Sequence, residues 1–77
     1  MLNCNLLKSK MIACGLSIAE CLKNANISTD RYYRVIRKSK ENNNICDFTI
    51  EEVENLAKTL NMTEHDVMSI FFASIVA

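Results

Sequence analysis

The residues best suited to chemistry in this chain are cations, and they are crowded into one stretch. Arg31, Arg34, Arg37, Lys38 and Lys40 lie within ten residues, interleaved with Tyr32 and Tyr33. Residues 1–40 hold eight Lys/Arg against two acids, a formal charge of +6, whereas residues 41–77 hold one Lys against seven acids, a formal charge of −6. The net charge of zero is therefore a cancellation of two opposed halves. A positive field concentrated on one element is what a polyanion-binding surface requires, because neutralising phosphates releases their condensed counterions.

Other chemistries find little support. The four cysteines, Cys4, Cys14, Cys21 and Cys46, form no C-x-x-C pair, and the single histidine, His65, lies far from all of them. Zinc-ligand spacing is thus missing, and these thiols are expected to behave as small hydrophobes. His65 sits between Glu64 and Asp66 with no nucleophile expected nearby, and there is no Gly-rich phosphate loop. An enzyme is not expected, and neither a metal nor a cofactor is implied.

A chain of 77 residues without proline and with one glycine makes a single small, all-helical domain. Such a domain buries only about 60% of its unfolded surface, so a partner chain would help it. No stretch reaches the roughly 18 apolar residues that cross a bilayer, so no membrane partner is expected. Met1-Leu2-Asn3-Cys4 lacks the basic and apolar pattern of an export signal, so a cytoplasmic location is expected.

Helix-start signals recur four times. Ser17 with Glu20, Thr49 with Glu52, and Thr63 with Asp66 have the spacing of a capping box. Leu16 with Cys21, Phe48 with Val53, and Met62 with Val67 supply the flanking apolar staples. Ser28 repeats the cap with Arg31 at the box position. Helices are therefore predicted to begin near residues 18, 29, 50 and 64. An earlier helix fits residues 4–14, with Leu7, Met11 and Cys14 on one stripe and Gly15 as its left-handed terminator. Val53, Leu56, Ala57 and Leu60 follow helical apolar spacing, while Lys38 to Asp47, with Asn42-Asn43-Asn44 at its centre, is predicted to be a loop.

Eleven residues separate the caps Ser17 and Ser28, which leaves room for a helix of about two turns, a tight turn at Ala25-Asn26, and a new helix. Asparagine tolerates the left-handed conformation that such a turn needs. Two short helices joined in this way form a helix-turn-helix.

The segment Leu16 to Arg34 resembles the helix-turn-helix of the lambda-repressor/Cro-like (XRE) family, and Phe48 to Phe72 is similar to the last two helices of small phage-encoded members from Gram-positive hosts. The resemblance implies one compact five-helix DNA-binding domain over residues 1–77, with its helix-turn-helix unit at about 17–38 and a C-terminal helical pair at about 49–76. It also implies a homodimer acting on a palindromic operator in a bacterial host cell, nucleoid-associated when bound. Leu22 stands where the family usually has Ala, Asn26 replaces the common turn Gly, and Met11 takes a position often held by Arg.

In a helix-turn-helix the second helix enters the major groove. On a helix starting at Thr29, the inward face is Tyr32, Val35 and Ile36, and Thr29, Asp30, Tyr33, Arg34 and Arg37 point outward. Arg34 or Arg37 would pair with guanine, Asp30 would accept from cytosine or orient Arg34, and Tyr33 would meet a phosphate or a thymine methyl. Lys38 and Lys40 suit phosphate contacts, and the caps at Ser17 and Ser28 add helix N-termini to the interface. In the last helix Val67, Ile70, Phe71 and Ser74 make one apolar stripe, and Met68, Phe72, Ile75 and Val76 a second, which is expected to pair two copies. The leading expectation is a sequence-specific transcriptional regulator, a repressor encoded by a phage or mobile element. The alternative is a protein-binding module on the same scaffold, an antirepressor or inhibitor whose partner would be a repressor or another host or phage protein; Leu22, Met11 and the long Asn-rich loop favour it.

Overall fold

In the computed structural model, which describes residues 1–73, the chain forms five helices and, among those residues, no strand. They are α1 (Cys4–Ala13), α2 (Ile18–Ala25), α3 (Thr29–Glu41), α4 (Ile50–Thr59) and α5 (Glu64–Phe71). Each predicted start lies within one residue of the observed one, because each cap does what its side chain permits. Ser17 Oγ accepts from Glu20 N at 3.1 Å, Thr49 Oγ1 from Glu52 N at 3.1 Å, and Thr63 Oγ1 from Asp66 N at 3.1 Å. In all three the acidic side chain answers by accepting from the cap's own N–H, which completes the capping box. Ser28 caps α3 by accepting from Arg31 N at 3.1 Å, with no acid to reciprocate. The first helix is capped by Asn3, whose Oδ1 accepts from Leu6 N at 3.0 Å.

One linker design is used three times. Gly15, Asn26 and Asn61 have φ of +72°, +58° and +50°, the left-handed conformation that ends a helix. The apolar residue after each one closes the turn: Leu16 N donates to Met11 O, Ile27 N to Leu22 O, and Met62 N to Ala57 O, all at 2.9–3.1 Å. That same residue immediately precedes the next cap, so Leu16, Ile27 and Met62 end one helix and staple the next. All three pack on the core. A three-residue unit of left-handed residue, hydrophobe and Ser/Thr therefore fixes both helix ends at each of three corners.

The connection between α3 and α4 departs from that unit and from expectation. The loop predicted from Lys38 begins only at Asn42, because α3 continues through Glu41 and puts Lys40 on the helix. Ser39 is fully buried one turn beyond Val35 and Ile36, which keeps the helix against the core for that extra turn. Asn43 and Asn44 then take the left-handed conformation, and Asn44 N donates to Ser39 O at 2.7 Å. At the other end of the chain α1 stops at Ala13, and Cys14 is exposed rather than part of the buried stripe; its thiol donates to Leu60 O at 3.3 Å.

The core is built around α2, which packs on α1, α3 and α4 through Cys21, Leu22 and Ala25. Leu22 is buried at the place where the resemblance expects Ala, with Ala25 equally buried three residues on. Tyr32, Phe48 and Phe71 form an aromatic chain, with ring centroids 6.4 and 6.0 Å apart, that joins α3 to α5 through the loop. Burial pushes the Tyr32 phenol up to about 12. Leu2 N donates to Asn44 O and Asn3 N to Ile70 O, each at 2.7 Å, so the segment before α1 ties the α3–α4 loop to α5. The radius of gyration, 11.3 Å, is that of a compact domain.

Candidate nucleic-acid interface

The outer face of α3 has the composition anticipated from its spacing. Thr29, Asp30, Tyr33, Arg34, Arg37, Lys38 and Lys40 are exposed, while Tyr32, Val35 and Ile36 are buried. Tyr33 is 50% exposed and its ring stands edge-on to Tyr32, with centroids 5.1 Å apart. A buried aromatic thus steadies the exposed one. Among the described residues Arg34, Arg37 and Lys40 meet no carboxylate within ion-pair distance.

Arg31, Lys10 and Lys38 of the basic half behave differently, and no local signal announces it. Arg31 turns away from the outer face and binds α4: its Nε donates to Glu52 Oε2 at 3.0 Å and its Nη2 to Glu52 Oε1 at 2.9 Å. Nη2 also donates to the Asp47 carbonyl at 2.7 Å, and Nη1 lies 3.5 Å from Asp47 Oδ2. The Arg31 hydrogen bond lowers the Glu52 carboxyl below the usual range, and the same bond raises the Arg31 guanidinium. Lys10 of α1 donates to Asp66 Oδ2 of α5 at 3.1 Å, and Lys38 to Asp47 Oδ1 at 3.4 Å. The Thr63 backbone bond first, and Lys10 second, hold the Asp66 carboxyl low. Every one of these ion pairs joins the basic half to the acidic half. The acids of the second half therefore neutralise cations at the seams of the fold, leaving the outer arginines of α3 open.

Three of the proposed phosphate contacts, Lys38, Ser17 and Ser28, already make bonds within the fold. Lys38 already faces Asp47, although its side chain remains 51% exposed. At Ser17 and Ser28 the hydroxyl oxygens are engaged as helix caps. At the start of α2 the capping box uses the N–H groups of Ser17 and Glu20, so Ile18 and Ala19 carry the donors left for a ligand.

The expected dimerisation stripe is less open than anticipated. Val67 and Phe72 both pack on the core and Met68 is half-buried, so the end of α5 uses parts of both stripes internally. Ser74, Ile75 and Val76 lie outside the described residues. Among the described residues the most exposed large hydrophobic side chains are instead Ile12, 77%, and Ile50, 78%.

His65 is exposed on α5, and the expectation that no nucleophile would stand near it needs correcting. Ser69 Oγ lies 3.4 Å from His65 Nε2, a consequence of their i, i+4 spacing on one helix. Among the described residues no carboxylate engages the ring's other nitrogen, so the third member of a nucleophilic constellation is missing. The cysteines are free thiols, with Cys21 buried and its thiol pushed up by desolvation. Among the described residues no three metal-ligating side chains converge, and no helix is long and apolar enough to cross a membrane. No protein-family model, no curated protein and no solved structure matches this chain.

Proposed function

We propose that this protein is a sequence-specific double-stranded DNA-binding transcriptional regulator, a phage or mobile-element repressor of the lambda-repressor/Cro-like kind. In this reading α2 and α3 form a helix-turn-helix and α3 enters the major groove. The observation that carries it is the outer face of α3, where Tyr33, Arg34 and Arg37 project while Tyr32, Val35 and Ile36 anchor the opposite side. Arginine's planar fork matches the two acceptors on a guanine edge, a contact worth about 1–3 kcal/mol of discrimination. The three-residue corner Asn26-Ile27-Ser28 supports the same reading, since it joins α2 to α3 through a left-handed turn closed by the Ile27 N–H on Leu22 O. Arg31 serves as a strut that sets α3 against α4.

A single module of this size buries only about 600–1,000 Å² on DNA, too little for selective binding. A homodimer is therefore part of the proposal, with Met68, Phe72, Ile75 and Val76 as its contact residues and two recognition helices about 34 Å apart on a palindrome. No catalytic role is proposed. The alternative, a protein-binding module on the same scaffold, is favoured by the exposure of Ile12 and Ile50. Selection from a pool of random duplexes at two salt concentrations separates the two readings. A regulator enriches a palindrome and loses affinity steeply as salt rises, whereas recovery of no enriched sequence removes the regulator reading.

A further inference from the structure

Asp47 divides its carboxylate between two cations of α3. Oδ1 lies 3.4 Å from Lys38 Nζ and Oδ2 lies 3.5 Å from Arg31 Nη1. Both distances exceed the 2.7–2.9 Å of a strong charge-assisted hydrogen bond. Arg31 does not depend on this carboxylate, because Glu52 and the Asp47 carbonyl hold it at 2.7–3.0 Å. Lys38 has no second carboxylate among the described residues, and half of its side chain is open to solvent. It also stands one helical turn beyond Arg34, beside the outward stripe. Its ammonium can therefore swing from Asp47 toward a ligand lying along α3 without leaving its own side of the helix.

We propose that Asp47 holds the place of a DNA phosphate on the flank of α3, and that Lys38 exchanges this internal carboxylate for a phosphodiester oxygen when a duplex binds. The inference rests on the DNA-binding reading above and deepens it by naming an internal competitor for one of its contacts. Carboxylate and phosphodiester are both singly charged oxygen acceptors for an ammonium, so the exchange conserves the hydrogen bond. A duplex supplies such acceptors at high density, whereas Asp47 is one loosely held group. Left in place, the Lys38–Asp47 pair is neutral and releases no counterion. Once exchanged, it leaves Asp47 facing Arg31 alone, at 3.5 Å. The competitor weakens binding to every duplex alike and leaves discrimination to Arg34 and Arg37.

The test is a fluorescence-anisotropy titration of the full chain with a labelled duplex across a salt series. It compares wild type, Asp47→Asn, Lys38→Gln and the double variant. Asp47→Asn is expected to bind about threefold more tightly at low salt, the factor that corresponds to an exposed ion pair. Lys38→Gln is expected to flatten the logarithmic salt slope by about 0.9, the share of one phosphate. In the Lys38→Gln background, Asp47→Asn should add nothing. The exchange is overturned if Asp47→Asn binds as wild type does, or if it tightens binding equally with Lys38 absent, since that would be a general charge effect. Should Asp47→Asn lose its helical circular dichroism, Lys38→Gln decides alone, and an unchanged salt slope overturns the proposal. A wild-type protein that binds no duplex at low salt removes the DNA-binding reading along with it; the other outcomes strike the exchange only.

Discussion

Arg31 and Glu52 face each other side on, the guanidinium donating to both carboxylate oxygens, at 3.0 and 2.9 Å. The pair connects the first turn of α3 to the first turn of α4. Glu52 meanwhile accepts from Thr49 N at 2.9 Å, so one carboxylate caps its own helix and holds its neighbour. Because Arg31 lies within one turn of Tyr33 and Arg34, this pair governs how the outward face of α3 is presented.

That relationship has a pH signature. The folded-state Glu52 carboxyl is lowered, so its stabilising contribution is fully present above the ordinary glutamate range and is lost as pH falls through the folded value. Thermal melts of wild type should therefore show stability declining on acidification below about pH 4.3. Glu52→Gln should lose about 1–3 kcal/mol at neutral pH, since it leaves a partly buried guanidinium with only the more distant Asp47 carboxylate, at 3.5 Å, as charge partner, and should flatten the acid dependence. Equal acid sensitivity in the two proteins would dissociate the pair from stability.

On the outer face of α3, side chains that read bases and those that meet phosphates should differ in kind. Arg34→Ala should reduce discrimination between the selected and scrambled duplexes by about 1–3 kcal/mol. Lys40→Ala should weaken both duplexes equally and lower the salt slope by about 0.9. Competition titrations with the two duplexes measure this, and unchanged binding by both variants would mean that α3 does not lie in a groove.

The turn at Asn26 should respond to backbone conformation more than to side-chain chemistry. With φ at +58°, Asn26→Gly should be neutral or slightly stabilising, whereas Asn26→Val should cost about 1–2 kcal/mol. Urea unfolding of the two variants gives the comparison; similar midpoints would contradict a strained left-handed corner.

Phe72 tests association. Light scattering should give a dimer mass for wild type and a monomer mass for Phe72→Glu with helical content retained. Identical masses would remove the α5 end from the dimer contact. Because Phe72 also packs on the core, circular dichroism must accompany the measurement.

Much of the architecture was legible along the chain because its signals are local. Ser17, Ser28, Thr49 and Thr63 each act within one turn, so a cap and its staple can be recognised without knowing what packs where. Gly15 and Asn26 likewise declare a left-handed corner by residue type alone. The same locality made Tyr33 and Arg34 recognisable as outward, since the apolar positions Tyr32, Val35 and Ile36 leave them no other direction. The Asn3 cap of α1 was not read from the sequence, although a cap-type residue just before a helix carries the same local signal.

What required the tertiary structure was the pairing of residues distant in sequence. No spacing within a helix announces that Arg31 reaches Glu52, that Lys10 reaches Asp66, or that Asp47 stands between Arg31 and Lys38. Nor could the polar run from Lys38 reveal that Ser39 would be buried and carry α3 one turn further. Charge counts along the chain divided it into a basic and an acidic half, but packing decided which cations were neutralised at the seams and which were left facing out. Caps and turns depend on neighbours within four residues, whereas ion pairs and burial depend on the meeting of separate elements, which only the folded arrangement specifies.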